Sequence, residues 1–166
     1  MVSATVTSMV LTGLEESLAA CSALIAFIPM LTGTGGNSGT QSSVAVIRAL
    51  SLGEVEFSDI LRVIWKEIRV GVLCGITLAC CNFAKLILID RMLLGNAGVT
   101  TPVATVICMT MVFTVLCAKS VGCLLPLLAE KIHLDPAVMA SPFISTVVDV
   151  TTLLIYFQVA RVILHI

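Results

Sequence analysis

The sequence predicts an all-α membrane protein with five transmembrane helices, the first of them short. Three observations lead there. Of 166 residues, 58% are hydrophobic and 11% are charged, with a mean hydropathy of +1.13, whereas a soluble domain carries about 25% charge. One bilayer crossing takes about 20 apolar residues, so this length fits roughly five crossings in a single membrane domain, 1–166. The apolar runs are separated by short charged clusters that serve as turns. A net charge of −1 leaves no basic surface for nucleic acid.

The first helix is expected over 1–14. Its apolar run, Val2 to Leu14, spans about 20 Å as a helix against a hydrocarbon core about 30 Å thick. The chain is therefore expected to begin inside that helix. The first basic residue is Arg48, so the charged start of a signal peptide is missing. Glu15 and Glu16 mark the turn into a second helix, 17–48; the sharper alternative for them is an outer vestibule that concentrates cations. Between Ser17 and Ile47 there is no charge. Residues 51–69 are amphipathic, with acids and bases interspersed, and read as an interfacial or cytosolic segment, with Trp65 suited to the headgroup boundary. The third helix is expected over 70–89, closed by Asp90-Arg91, and the fourth over 98–128. A polar link ends at Asp135-Pro136, an N-cap residue followed by proline at the first helical position, which opens the fifth helix, 136–164. Arg48, Arg62, Lys66, Arg69 and Lys131 fall on one side; Lys85, Arg91 and Arg161 fall on the other. The positive-inside rule puts 48–69 in the cytosol and the C-terminus outward, in an integral protein of the cell membrane.

Seven cysteines lie within apolar segments without a C-x-x-C pair and read as small packing residues. The run Gly33 to Ser43 has two readings. Gly35 and Gly39 form a G-x-x-x-G, as do Gly71 and Gly75, and small residues let membrane helices approach closely. Alternatively the helix is broken or widened there, with carbonyls and the Asn37 and Gln41 amides facing water. A phosphate loop lacks its lysine.

Asp149 lies near the middle of the last apolar stretch, with Ser141, Ser145, Thr152 and Tyr156 at helical spacing. An ionisable group at that depth is expensive and faces a bundle interior or a wet path. It has two readings: a structural ion pair with Lys119, or a cation ligand with Lys119 drawn toward the cytoplasmic edge. The stripe offers only oxygen ligands, which disfavours zinc and copper. A hydrated Mg²⁺ needs few carboxylates, and two copies of Asp149 across a two-fold axis would supply them. No catalytic constellation supports an enzyme. Beside a passive channel stand a cation-coupled exchanger and a non-conducting subunit held by glycine packing.

The string Phe27-Ile28-Pro29-Met30-Leu31-Thr32-Gly33-Thr34-Gly35-Gly36-Asn37-Ser38-Gly39-Thr40-Gln41, followed by Ile47-Arg48-Ala49-Leu50, resembles the second-helix signature of MgtE-type magnesium channels. Lys66-Glu67 with Gly71 and Gly75 resembles the start of the third helix. Asp135-Pro136-Ala137, Ser141-Pro142, Val148-Asp149-Val150-Thr151 and Leu154-Ile155-Tyr156-Phe157 resemble the fifth. The resemblance covers nearly the whole chain. It implies a homodimer with its pore on the two-fold axis, lined by the second and fifth helices, and Mg²⁺ as the transported ion. It makes Asp149 the metal site, with Gly33, Asn37, Ser141 and Ser145 lining the pore; Gln41 joins them from the reading in which its amide faces water. Where the family often has Asn and Ala, this chain has Ser141 and Ser145. A cytosolic Mg²⁺-sensing region N-terminal to the pore is a further implied partner.

Overall fold

The computed structural model describes residues 5, 8, 9, 12 and 22–165, the last group without the side chains of 22 and 137–142. The expected helix over 1–14 and the Glu15–Glu16 turn lie outside the described residues, apart from single positions. Among the described residues the fold is all-helical. Four long helices follow a short turn at Ser22–Ile25: α1 (Ile28–Ser51), α2 (Ile60–Lys85), α3 (Thr101–Lys131) and α4 (Pro136–Leu164). Three stretches are long and apolar enough to cross a membrane: Phe57–Leu93, Thr101–Lys131 and Phe143–Leu164. The 24-residue α1 is not among them, because its glycine, serine and amide residues dilute its hydropathy.

Sequence explains the boundaries. The chain turns at Ala26–Phe27, and Pro29 sits in the first turn of α1, where its missing N–H costs nothing. Gly53 ends α1 with φ 68°; its N–H donates to the Leu50 carbonyl and that of Glu54 to the Ala49 carbonyl, a left-handed cap that favours glycine. Thr100 caps α3, its hydroxyl accepting from the Val103 N–H. Between α1 and α2, the Glu56 N–H donates to Asp59 Oδ2 at 3.2 Å beside a single 3₁₀ turn, Phe57–Asp59.

The third span starts ten residues earlier than its apolar composition indicates. α2 begins at Ile60 and continues beyond Lys85 as a wider π-helical stretch to Leu93. Most of the expected cytosolic segment 51–69 is therefore the first part of α2. Helix needs hydrogen bonds rather than apolar residues, and no glycine or proline interrupts 60–70.

α1 and α3 run parallel, and α2 and α4 run back against them. At one end Leu24, Leu31 and Leu86 pack with Val103, Ile107 and Tyr156. At the other, Val46 packs with Cys123 and Leu127 under Ile60 and Ile64. α3 is the hub: 16 of its 31 residues are buried. α2 buries only Glu67, Gly71, Gly75 and Ala79 of its 26, a single i, i+4 stripe laid on α3.

Candidate ion site

The glycine run of α1 is continuous α-helix from Ile28 to Ser51, so the broken or widened helix expected as one reading of Gly33–Ser43 is not formed. Hydroxyls close on backbone within the helix: Thr34 donates to the Met30 carbonyl at 2.7 Å and Thr40 to the Gly36 carbonyl at 2.8 Å. The carbonyls at this level belong to the helix, which leaves side-chain amides and hydroxyls as its polar offering.

Two glycines press on the bundle. A Cβ on Gly35 would lie 2.7 Å from Thr114 Cγ2 and 2.8 Å from Val148 Cγ1; one on Gly39 would lie 2.9 Å from Ile144 Cγ2. A Cβ on Gly122 of α3 would meet the Gly39 carbonyl. Gly71 and Gly75 do the same for α2, against Leu116 and Val112. Both G-x-x-x-G pairs therefore act as packing seams, as small residues do between membrane helices.

The opposite face of α1 is open. Nothing lies within 4 Å of a Cβ built on Gly33 or Gly36, and Asn37, Thr40 and Gln41 are exposed. Asn37, Thr40, Gln41 and Arg48 line an open groove of about 620 Å³. A second groove of about 530 Å³, between α1 and α2, takes in Thr34, Asn37, Gln41, Thr77 and Lys119. Asn37 and Gln41 thus share one surface, with Gly33 on the same side of the helix.

Asp149 lies on α4 next to Val148, the side chain that fills the Gly35–Gly39 seam, about 100° further round the helix. It is half-buried, as is Ser145 one turn earlier. Ser141 falls among the residues whose side chains are not described. Further along the stripe, Thr152 and Tyr156 are each 2% exposed, and the Tyr156 hydroxyl donates to the Leu24 carbonyl at 2.9 Å. The polar stripe of α4 is therefore partly open at Ser145 and Asp149 and sealed beyond. The two grooves at Asn37 and Gln41 are lined by residues of α1, α2 and α3.

The ion pair between Asp149 and Lys119 does not form. Lys119, 7% exposed, donates to Ser42 Oγ at 3.2 Å and to Glu67 Oε2 at 3.4 Å, and Ser42 donates to the same carboxylate oxygen at 2.5 Å. This network joins α1, α2 and α3. Lys119 also borders the groove between α1 and α2. Asp149, in contrast, has no ion pair or side-chain hydrogen bond among the described residues. Sequence reasoning placed Glu67 in the cytosolic segment and missed it as a buried carboxylate. The signal was present: Glu67, Gly71, Gly75 and Ala79 share one helical face at four-residue spacing, which puts the acid in the glycine seam. No group of three His, Cys, Asp or Glu side chains able to hold a metal ion occurs among the described residues.

Long helices packed on the buried α3, three stretches of them long and apolar enough to cross a membrane, have the build of a polytopic membrane protein. The chain belongs to the MgtE family of divalent cation transporters, whose family model matches residues 28–159. It is 39% identical over 160 residues to a magnesium transporter MgtE of Thermus thermophilus, covering 96% of this chain and 34% of the relative. Its identity is 34% over 151 residues to a magnesium transporter MgtE of Bacillus subtilis, covering 91% and 32%. A third, from Enterococcus faecalis, is 33% identical over 154 residues, covering 93% and 32%. The chain spans about a third of the length of these curated relatives.

Proposed function

We propose that this chain is the membrane pore region of a Mg²⁺ transporter and that it conducts passively, with hydrated Mg²⁺ resting between two copies of Asp149. The observation that carries the reading is the division of charge at membrane depth. Lys119 is held by Glu67 and Ser42, while Asp149 keeps its charge uncommitted on α4. A carboxylate left this way at depth is costly unless a cation or water meets it. The curated relatives, named as magnesium transporters, favour Mg²⁺ over other divalent ions.

A second copy is part of the proposal. Asn37, Thr40 and Gln41 leave a polar face of α1 exposed, and an exposed amide face is a poor surface for acyl chains. Pairing about a two-fold axis would bring α1 and α4 of both copies around one wet path. Asn37, Gln41 and Ser145 would then hold outer-shell waters through amide and hydroxyl groups, so that Mg²⁺, which dehydrates reluctantly, keeps inner waters. The α1 backbone at Gly33 and Gly36 would give the hydrated ion room. Binding weak enough for release suits conduction. The end that carries Arg48, Arg62, Lys66, Arg69 and Lys131 faces the cytoplasm in this arrangement.

The test is Mg²⁺ flux into liposomes holding the purified chain, read with an entrapped Mg²⁺ indicator. Asp149→Asn is expected to reduce flux to background while cross-linked dimers persist. Undiminished flux in that variant refutes the site. A requirement for a sodium or proton gradient refutes the passive mechanism and leaves an exchanger.

A further inference from the structure

We infer that Arg48 sets the rate at which divalent cations pass the cytoplasmic end of the path, an inference that rests on the proposed role of the α1 polar face. Asn37, Gln41 and Arg48 follow one stripe of that helix. From Asn37 to Arg48 the chain climbs about 17 Å and turns only about 20° away from the same direction; Gln41 lies roughly 10 Å from Arg48 along the axis. The groove of about 620 Å³ that holds Asn37, Thr40 and Gln41 is completed by Val44, Ala45 and Arg48, so its lining includes a guanidinium and no carboxylate. Arg48 is exposed and makes no ion pair or side-chain hydrogen bond among the described residues. It stands in the last turn of α1, where the helix dipole favours a cation but carries only about half a charge.

Other cations near this end have acids or rings beside them. Arg62, Lys66 and Arg69 share a cavity with Glu54, Asp59 and Glu67, Lys119 is held by Glu67 at 3.4 Å, and Lys131 lies over the Phe57 ring at 4.2 Å. Arg48 has no acid in its groove. In the paired arrangement two guanidiniums, one from each copy, stand where the stripe of amides ends. Repulsion grows with the charge of the passing ion. In water, one unit charge about 10 Å away lowers the occupancy of a dication about fourfold and that of a monocation about twofold. Two copies bring the penalty on a dication to about tenfold, and salt screens it. Arg48 therefore slows the exit of Mg²⁺ and keeps cytosolic Mg²⁺ dilute at the mouth, which opposes backflow.

Mg²⁺ flux into liposomes holding the purified chain tests this, measured in an impermeant salt at about 0.01 M and about 1 M. Arg48→Gln is expected to raise flux about tenfold at the lower salt and to match the parent at the higher, where the screening length is about 3 Å. Arg48→Lys keeps the charge and is expected to keep the parental rate, which separates charge from packing. Arg62→Gln, at the same end but in the cavity with the three acids, is expected to leave flux unchanged. Flux that Asp149→Asn abolishes but Arg48→Gln leaves unmoved, or lowers, overturns the role of Arg48 and leaves the proposed path standing. A gain that persists undiminished at about 1 M salt overturns it as well, since a loosened helix and not a charge would then be the cause, and so does an equal gain in Arg62→Gln. Flux that survives Asp149→Asn overturns the path itself, and the role of Arg48 with it.

Discussion

The two faces of α1 use the same small residues to opposite ends. On the bundle side, Gly35 and Gly39 leave no room for a methyl group, and Ser42 joins a buried charge network. On the far side, Gly33 and Gly36 touch nothing that would resist one, and Asn37 and Gln41 stand open. Composition makes these faces look alike. Position makes one a packing seam and the other a surface for water or a second chain. Glycine in this helix is thus not one signal, and its meaning is set by what lies opposite.

Substitution can break that contrast, and the largest effect is expected at the charge network. Glu67→Gln leaves Lys119 buried without a counter-charge and should destabilise the chain by about 3–5 kcal/mol, whereas Glu67→Met combined with Lys119→Met should recover most of the loss. Unfolding in micelles followed by the single tryptophan, Trp65, reads both; a double variant no better than the single one would show that the pair does not act as a unit.

Next comes the seam. Gly39→Ala and Gly122→Ala each push a methyl into the other helix, the second against a backbone carbonyl that cannot change rotamer, and each should cost about 1–3 kcal/mol. Equal stability to the parent would mean that α1 and α3 are further apart than described.

The smallest effect is expected on the open face. Gly36→Ala meets open space and gains helix propensity, so stability should hold or rise by up to about 1 kcal/mol. Under the proposed function Gly33→Ala should also leave stability unchanged while lowering Mg²⁺ flux. A loss of fold there, matching that at Gly39, would erase the distinction between the two faces.

Much of this was legible in the residues. The apolar runs anticipated the last two helices closely, 98–128 against Thr101–Lys131 and 136–164 against Pro136–Leu164, with Pro136 at the start of the latter, whereas the expected 17–48 and 70–89 begin at Ile28 and Ile60. Both G-x-x-x-G pairs read as packing seams, and so they are. The glycine run also read as a broken helix, and it is not one: the backbone closes its own helical hydrogen bonds from Ile28 to Ser51, and the Thr34 and Thr40 hydroxyls donate back into the same helix. The start of α2 was misplaced because charge was taken as the mark of a cytosolic segment, although the spacing of Glu67 to Gly71, Gly75 and Ala79 pointed inward. The partner of Lys119 was not recoverable, since Glu67 lies 52 residues away and Ser42 lies 77 away, and no local pattern ties them.

The sequence alone settled what each segment can be: period, apolar length and small-residue spacing are local properties, and they fix helix, span and seam. Tertiary structure alone decided which charges are spent on each other. Pairing depends on distance in space, and three helices had to meet before Lys119 could be satisfied away from Asp149.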